Sequence, residues 1–263
     1  MHFISDFLKG VAIGAGAILP GISSGVLCVI FGIYETLLNC VLNFFKNIKH
    51  NFKILFPIGL GCFVGVFLLG NVLKYVFYAY PIQIKFIFMG LILGSVPKLM
   101  KKVNEKDKFK FRYLIYLFVS LGIGLFLVYL EKKLHTTTGN TTEFTFLFLV
   151  FAGTLMSTGV IIPGVSSTLI LMLLGCYDAY LLSVSSLYIP FLFPLVIGLI
   201  IGSIFFMKLI KLLLERFYSE TFYSIIGFTL GSIFVLYPGI SSGIESIIGI
   251  FCFSFGILVT ALI

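Results

Sequence analysis

The sequence predicts an all-α polytopic membrane protein with an inverted internal repeat, each half a re-entrant helical hairpin plus three transmembrane helices. Three observations lead there. Of 263 residues, 60% are hydrophobic and only 11% charged, and the mean hydropathy is +1.17, more than any soluble domain needs. Apolar runs long enough to cross a bilayer as helices, roughly 20 residues, alternate with short polar clusters. One small polar interruption also occurs twice, about half a chain apart: "GAILPGISSGVLCVIFGIYE" from Gly16 and "GVIIPGVSSTLILMLLGCYD" from Gly159.

The elements follow in order. A first apolar run over 7–45 is broken at Pro20-Gly21, and the basic "KNIKHNFK" closes it. Runs over 54–80 and 86–96 follow, separated by "YPIQIK". The stretch "KLMKKVNEKDKFKFR" is the most polar in the chain and reads as a solvated loop. A run over 113–130 then leads to "EKKLHTTTGNTTE". The second half repeats the plan: 144–188 broken at Pro163-Gly164, then 191–214, 222–236 and 244–263. Asp6 and Lys9 interrupt the start and no small-residue cleavage site follows, so a cleavable signal is not expected and the mature chain should start near Met1.

A single domain over 1–263 is expected, with one repeat over 1–131 and the other over 144–263. A shift of 143 residues aligns Gly16 with Gly159, Pro20 with Pro163, Ser23-Ser24 with Ser166-Ser167, Gly32 with Gly175, Tyr34 with Tyr177 and Glu35 with Asp178. A shift of 137 then aligns Pro57 with Pro194, Gly61 with Gly198, Gly65 with Gly202, Lys74 with Lys211, Gly90 with Gly227 and Gly94 with Gly231. Small residues recur at membrane helix contacts anyway. Their co-linearity with the lysines and the motif is what points to duplication.

Charge sets the orientation. If each motif run dips into the membrane and returns, three spans separate the motifs and the halves have opposite topology. One face then holds 14 Lys and Arg, from Lys9 through the 98–112 block to Lys208, Lys211 and Arg216, and the other holds four: Lys74, Lys85, Lys132 and Lys133. That bias places both termini in the cytoplasm. The net charge of +8 reads as these loop charges rather than as a nucleic-acid surface, so no nucleic-acid partner is expected. The five cysteines are scattered through apolar runs without metal or disulfide spacing, and His2, His50 and His135 all lie in or beside polar segments. No catalytic set, metal or cofactor is expected.

The motif itself points to an anion. Pro lacks an N–H and Gly permits a turn, so Pro20-Gly21 and Pro163-Gly164 each end one helical segment and begin another. The backbone N–H groups that follow have no intrahelical partner, and in hydrocarbon they must be satisfied. Hydroxyls of Ser23 and Ser24 beside Gly25, and of Ser166, Ser167 and Thr168, add donors there. Such a set suits a phosphate. The rival reading is a Pro-Gly kink whose serines cap their own backbone. A third "PGISSG" over 238–243 lacks the downstream Gly-x-Tyr-acid and reads as a surface turn.

Glu35 and Asp178 lie 15 residues after their prolines. An unbroken helix puts them roughly 20 Å from the loop tip, beyond the half-thickness of hydrocarbon, about 15 Å. Unless Gly32 or Gly175 bends the helix, each carboxylate belongs near the membrane surface. It reads either as a proton site or gate, or as an interfacial helix end with Tyr34 and Tyr177 as belt aromatics. Lys74, Lys211, Arg112 and Arg216 are candidate headgroup contacts, with snorkelling anchors as the alternative.

On these residues the chain resembles the bacterial polyprenyl-phosphate transporter family, which shows a duplicated Pro-Gly-[Ile/Val]-Ser-small motif followed by Gly-x-Tyr-[Glu/Asp]. The resemblance covers essentially the whole chain. Ala17 stands where the family typically has Asn, and Ser24-Gly25 where it often has Gly-Gly. The resemblance implies recycling of undecaprenyl phosphate across the bacterial cytoplasmic membrane through two opposed re-entrant hairpins, with protons as a candidate coupling ion. Undecaprenyl-pyrophosphate phosphatase, an enzyme with a Pro-Gly-x-Ser-Arg-Ser motif, is the alternative. Ser24 and Ser167 occupy its arginine position, and no Glu-x-x-x-Glu pair falls in an apolar run. A small-ion transporter is the third class. The sequence does not indicate an oligomeric state.

Overall fold

Every described element is helical. The structure, a computed structural model, describes residues 3–17, 24–65, 75–76, 78–134, 144–186, 188–239 and 244–262. The α-helices in order are α1 (Phe3–Ala17), α2 (Ser24–Ile30), α3 (Tyr34–Leu42), α4 (Ile48–Val64), α5 (Pro81–Lys106), α6 (Tyr113–Leu134), α7 (Phe146–Ile161), α8 (Ser167–Leu173), α9 (Tyr177–Ser185), α10 (Ile189–Arg216), α11 (Tyr218–Leu236) and α12 (Ile244–Leu262). Among the described residues three helices are long and apolar enough to cross a membrane: Pro81–Lys106, Tyr113–Glu131 and Ile189–Arg216. Large side chains such as Leu93, Phe126 and Phe205 stand exposed on them. With the composition, these are the features of a multi-pass membrane protein.

Lipid is as apolar as leucine, so the helices are held by close packing rather than by hydrophobic burial. Glycines set that packing. A Cβ on Gly10 of α1 would stand 2.2 Å from the Ile58 carbonyl oxygen of α4, and one on Gly14 would stand 2.1 Å from that of Cys62. A Cβ on Gly153 of α7 would meet the Leu195 carbonyl of α10 at 2.0 Å, and one on Gly198 the Val150 carbonyl at 1.9 Å. Contacts advance in the same direction along both chains, so α1 runs parallel to α4 and α7 parallel to α10. Gly90 against Phe253 and Gly94 against Ile257 make α5 parallel to α12; Gly227 against Leu117 and Gly231 against Gly124 do the same for α11 and α6. Pro57 and Pro194 both lie fully buried inside their helices, α4 and α10.

The first nine of the fifteen residues expected as a solvated loop are helix. Residues 98–106 continue α5, because Leu99 and Val103 stand one turn apart on one face and are buried at 7% and 0% exposure. They pack with Tyr113, Phe222, Tyr223 and Ile226 into a core at the lysine-rich end. Only residues 107–112 are loop, where Asp107 accepts hydrogen bonds from the Tyr113 hydroxyl, Ser219 and Lys110. Those donors hold the Asp107 carboxyl below its usual value. All five cysteines are free thiols.

Candidate functional site

Each motif closes with a second helix break. Gly32 and Gly175 adopt positive φ, 67° and 70°. The Gly32 N–H bonds the Val29 carbonyl and the Ile33 N–H the Cys28 carbonyl, and Gly175 and Cys176 repeat this on Met172 and Leu171. Both are glycine C-caps of the Schellman type. The unbroken helix of the 20 Å estimate is therefore absent, and α3 leaves α2 at a bend of 113°. The Gly-x-Tyr-acid signature encodes that turn: glycine ends one short helix, and the tyrosine and the acid begin the next.

At the first motif, Pro20, Gly21 and Ser23 lie outside the described residues, as does Lys74. Ser24 opens α2, and Gly25 is buried against the second motif. A Cβ on Gly25 would stand 3.3 Å from the Pro163 Cα and from the Val160 carbonyl oxygen. The Tyr34 hydroxyl donates to the Ile161 carbonyl at 2.7 Å. Segments far apart in sequence thus touch backbone to backbone.

The second motif is described throughout. Pro163 is buried, and Gly164 takes φ +83° with its Cα so close to α11 that a Cβ would sit 2.3 Å from the Phe228 carbonyl oxygen. Gly159 lets the start of α8 fold back on α7, its own would-be Cβ lying 2.3 Å from the Ser167 nitrogen. The three hydroxyls then divide. Ser167 turns away and donates to the Met156 carbonyl of α7 at 3.2 Å. Ser166 caps α8 by accepting from the Leu169 N–H at 3.2 Å. Ser166 and Thr168, 2.7 Å apart, both donate to one carboxylate oxygen, Oε1 of Glu131, at 2.9 Å each.

Glu131 is a residue of this site that the sequence reading missed. It ends the apolar part of α6, and with Lys132 and Lys133 beside it the segment reads as a solvated flank. Only the continuation of α6 to Leu134 carries it to the second motif. Its carboxylate shows what the Ser166–Thr168 pair can do chemically: it receives an oxyanion.

The downstream acids occupy different settings. Glu35, partly buried, pairs with Lys102 at 3.3 Å and accepts from the Tyr218 hydroxyl at 3.0 Å. It lines an open pocket together with Lys106, Lys211, Glu215 and Tyr218. Lys211 lies 3.9 Å from Glu215, and the Lys106 ammonium sits 3.7 Å over the Tyr218 ring. Asp178 is exposed at the first turn of α9, with Tyr177 half-buried beside it. Arg112 pairs with Glu220 at 3.0 Å, and Arg216 is exposed at the end of α10. The structure therefore brings Lys211 into a site with Glu35, while Arg112 pairs with Glu220 instead.

Fold and site together define a polytopic membrane protein with two broken-helix motifs in contact inside it. The chain belongs to the undecaprenyl phosphate translocase-like family, whose model matches residues 13–248. A polyprenyl-phosphate transporter of Vibrio cholerae serotype O1 is 29% identical over 252 residues, covering 90% of this chain and 79% of that protein. A polyprenyl-phosphate transporter of Staphylococcus aureus is 29% identical over 251 residues, covering 91% and 88%. No solved structure matches the chain.

Proposed function

We propose that this protein moves undecaprenyl phosphate between the leaflets of the bacterial cytoplasmic membrane, returning the envelope lipid carrier for reuse. The observation that carries the reading is the hydroxyl pair of Ser166 and Thr168 converging on a single carboxylate oxygen. A pair placed to hold one oxyanion oxygen suits a phosphate monoester equally. Family membership and relatives named as polyprenyl-phosphate transporters supply the lipid. The phosphate contacts we assign are Ser166 and Thr168 with Ser23, Ser24 and the backbone at Gly21, Gly25 and Gly164.

The finer architecture in this proposal is a duplicated chain, one repeat over 1–131 and the other over 144–263, with two opposed re-entrant hairpins. The contacts support the duplication. Gly10–Ile58 maps onto Gly153–Leu195, and Gly61–Phe7 onto Gly198–Val150, by the same shifts of 143 and 137 that align the sequences. Helix lengths support re-entry. The return legs α2 and α8 have seven residues each, about 10 Å, against a hydrocarbon core of about 30 Å. Opposition is supported by Glu35 lying among the lysines while Glu131 lies 18 residues along α6 from Tyr113, about 27 Å away. The lysine-rich end is cytoplasmic in this reading, with both termini there. Glu35 with Lys102, and Asp178, are then the gates of the two hairpins.

The test uses purified protein in sealed vesicles containing undecaprenyl phosphate. Headgroup accessible to an externally added modifying enzyme should rise faster than in protein-free vesicles, without release of phosphate from undecaprenyl pyrophosphate. No acceleration sinks the transport reading, and phosphate release would favour the phosphatase instead.

A further inference from the structure

Two of the hydroxyls assigned to the headgroup, those of Ser166 and Thr168, are already occupied. Ser166 and Thr168 have one hydroxyl hydrogen each, and both lie 2.9 Å from Glu131 Oε1. The contact is not local: it joins the end of α6 to the start of α8 across 35 and 37 residues. It is partly buried, so the carboxylate is held there by geometry rather than by surface chance. A phosphate oxygen approaching the same pair would stand within hydrogen-bond distance of the carboxylate, and two anions so placed repel.

We infer that Glu131 is an internal competitor for the phosphate: its carboxylate holds the second motif's hydroxyl pair until the headgroup displaces it, and retakes the pair when the headgroup leaves. This rests on the transport reading above. It gives Glu131 a role no other residue of the motif has. A cradle of hydroxyls alone would bind the phosphate and keep it; a tethered anion returning to the donors favours release. Ligand exchange at Ser166 and Thr168 then needs no other group, because one oxyanion replaces another on the same two hydrogens. The side chain acts on the headgroup through these donors, as a positioning residue.

The experiment measures binding of farnesyl phosphate, a short-chain polyprenyl phosphate, to the detergent-purified full chain, and translocation in vesicles. Glu131→Gln keeps the shape and one acceptor but removes the charge. It should bind at least about tenfold tighter, the effect of removing a like charge from the site, and translocate more slowly. Glu131→Ala should bind tighter as well. Unchanged or weaker binding by both variants, with Ser166→Ala/Thr168→Ala still weakening it, overturns the competitor role and leaves the phosphate site standing. If Ser166→Ala/Thr168→Ala binds like wild type, the phosphate site itself falls and the competitor role with it.

Discussion

The Tyr34 hydroxyl donates to the Ile161 carbonyl at 2.7 Å, tying the turn after the first motif to the helix end before the second. Ile161 is the last residue of α7, where the carbonyls run out of intrahelical donors. One phenol thus caps a helix and couples the two candidate binding segments. Tyr34→Phe should destabilise the protein by about 1 kcal/mol, read as a lower thermal midpoint in detergent. If the coupling matters to transport, it should also slow translocation more than the stability loss accounts for.

Gly164 carries two requirements at once: a positive φ and a backbone contact with Phe228 that leaves no room for a Cβ. Gly164→Ala should cost about 1–3 kcal/mol from conformation alone, with the clash added. Gly32 also has positive φ but open space around it. Gly32→Ala should therefore be the milder change. Thermal midpoints of the two variants compare them directly.

Val103 is fully buried within the most polar segment of the chain. Val103→Ala should cost about 2 kcal/mol, whereas Lys101→Ala, on the exposed face, should stay within about 0.5 kcal/mol. Equal tolerance at both positions would return this stretch to a solvated loop.

The Asp107 carboxyl is held below its ordinary value of 3.8, first by the Tyr113 hydroxyl and then by Lys110. Its folded pKa being depressed, the stability it adds is complete above 3.8 and is lost as pH falls from there through the folded value. Wild type should lose stability faster than Asp107→Asn over that acid range. Parallel pH curves would remove Asp107 from the account.

Glu35 and Lys102 form a half-exposed pair, worth at most about 1 kcal/mol. Glu35→Gln should leave stability nearly unchanged. A gate at this position predicts a severalfold change in translocation; a mere interfacial anchor predicts none.

Much of the fold was legible in the residues because its determinants are local. The apolar runs, the Pro-Gly breaks and the aligned glycines are all readable, and Gly61, Gly65, Gly198 and Gly202 indeed sit where helix backbones touch. Two features were not legible, for opposite reasons. Lys98 to Lys106 look solvated because charge dominates composition, while Leu99 and Val103 form a buried stripe only visible at helical spacing. Glu131 escapes because its partners lie 35 and 37 residues away, and nothing local distinguishes it from a helix-end acid. The one signal was its place as the first charge after an apolar run from Tyr113 to Leu130. Within the motif, Ser167 and Thr168 look equivalent in sequence; the α8 start sends Ser167 to Met156 and Thr168 to Glu131.

The most direct test of the central claim, that hydroxyls of both motifs hold the phosphate, is the rate of undecaprenyl phosphate translocation in vesicles for two variants. One is Ser23→Ala/Ser24→Ala, the other Ser166→Ala/Thr168→Ala. Each should slow translocation about tenfold or more, the loss of at least one hydrogen bond to a charged group, while folding and vesicle insertion stay normal. Translocation at the wild-type rate by both variants would contradict the account.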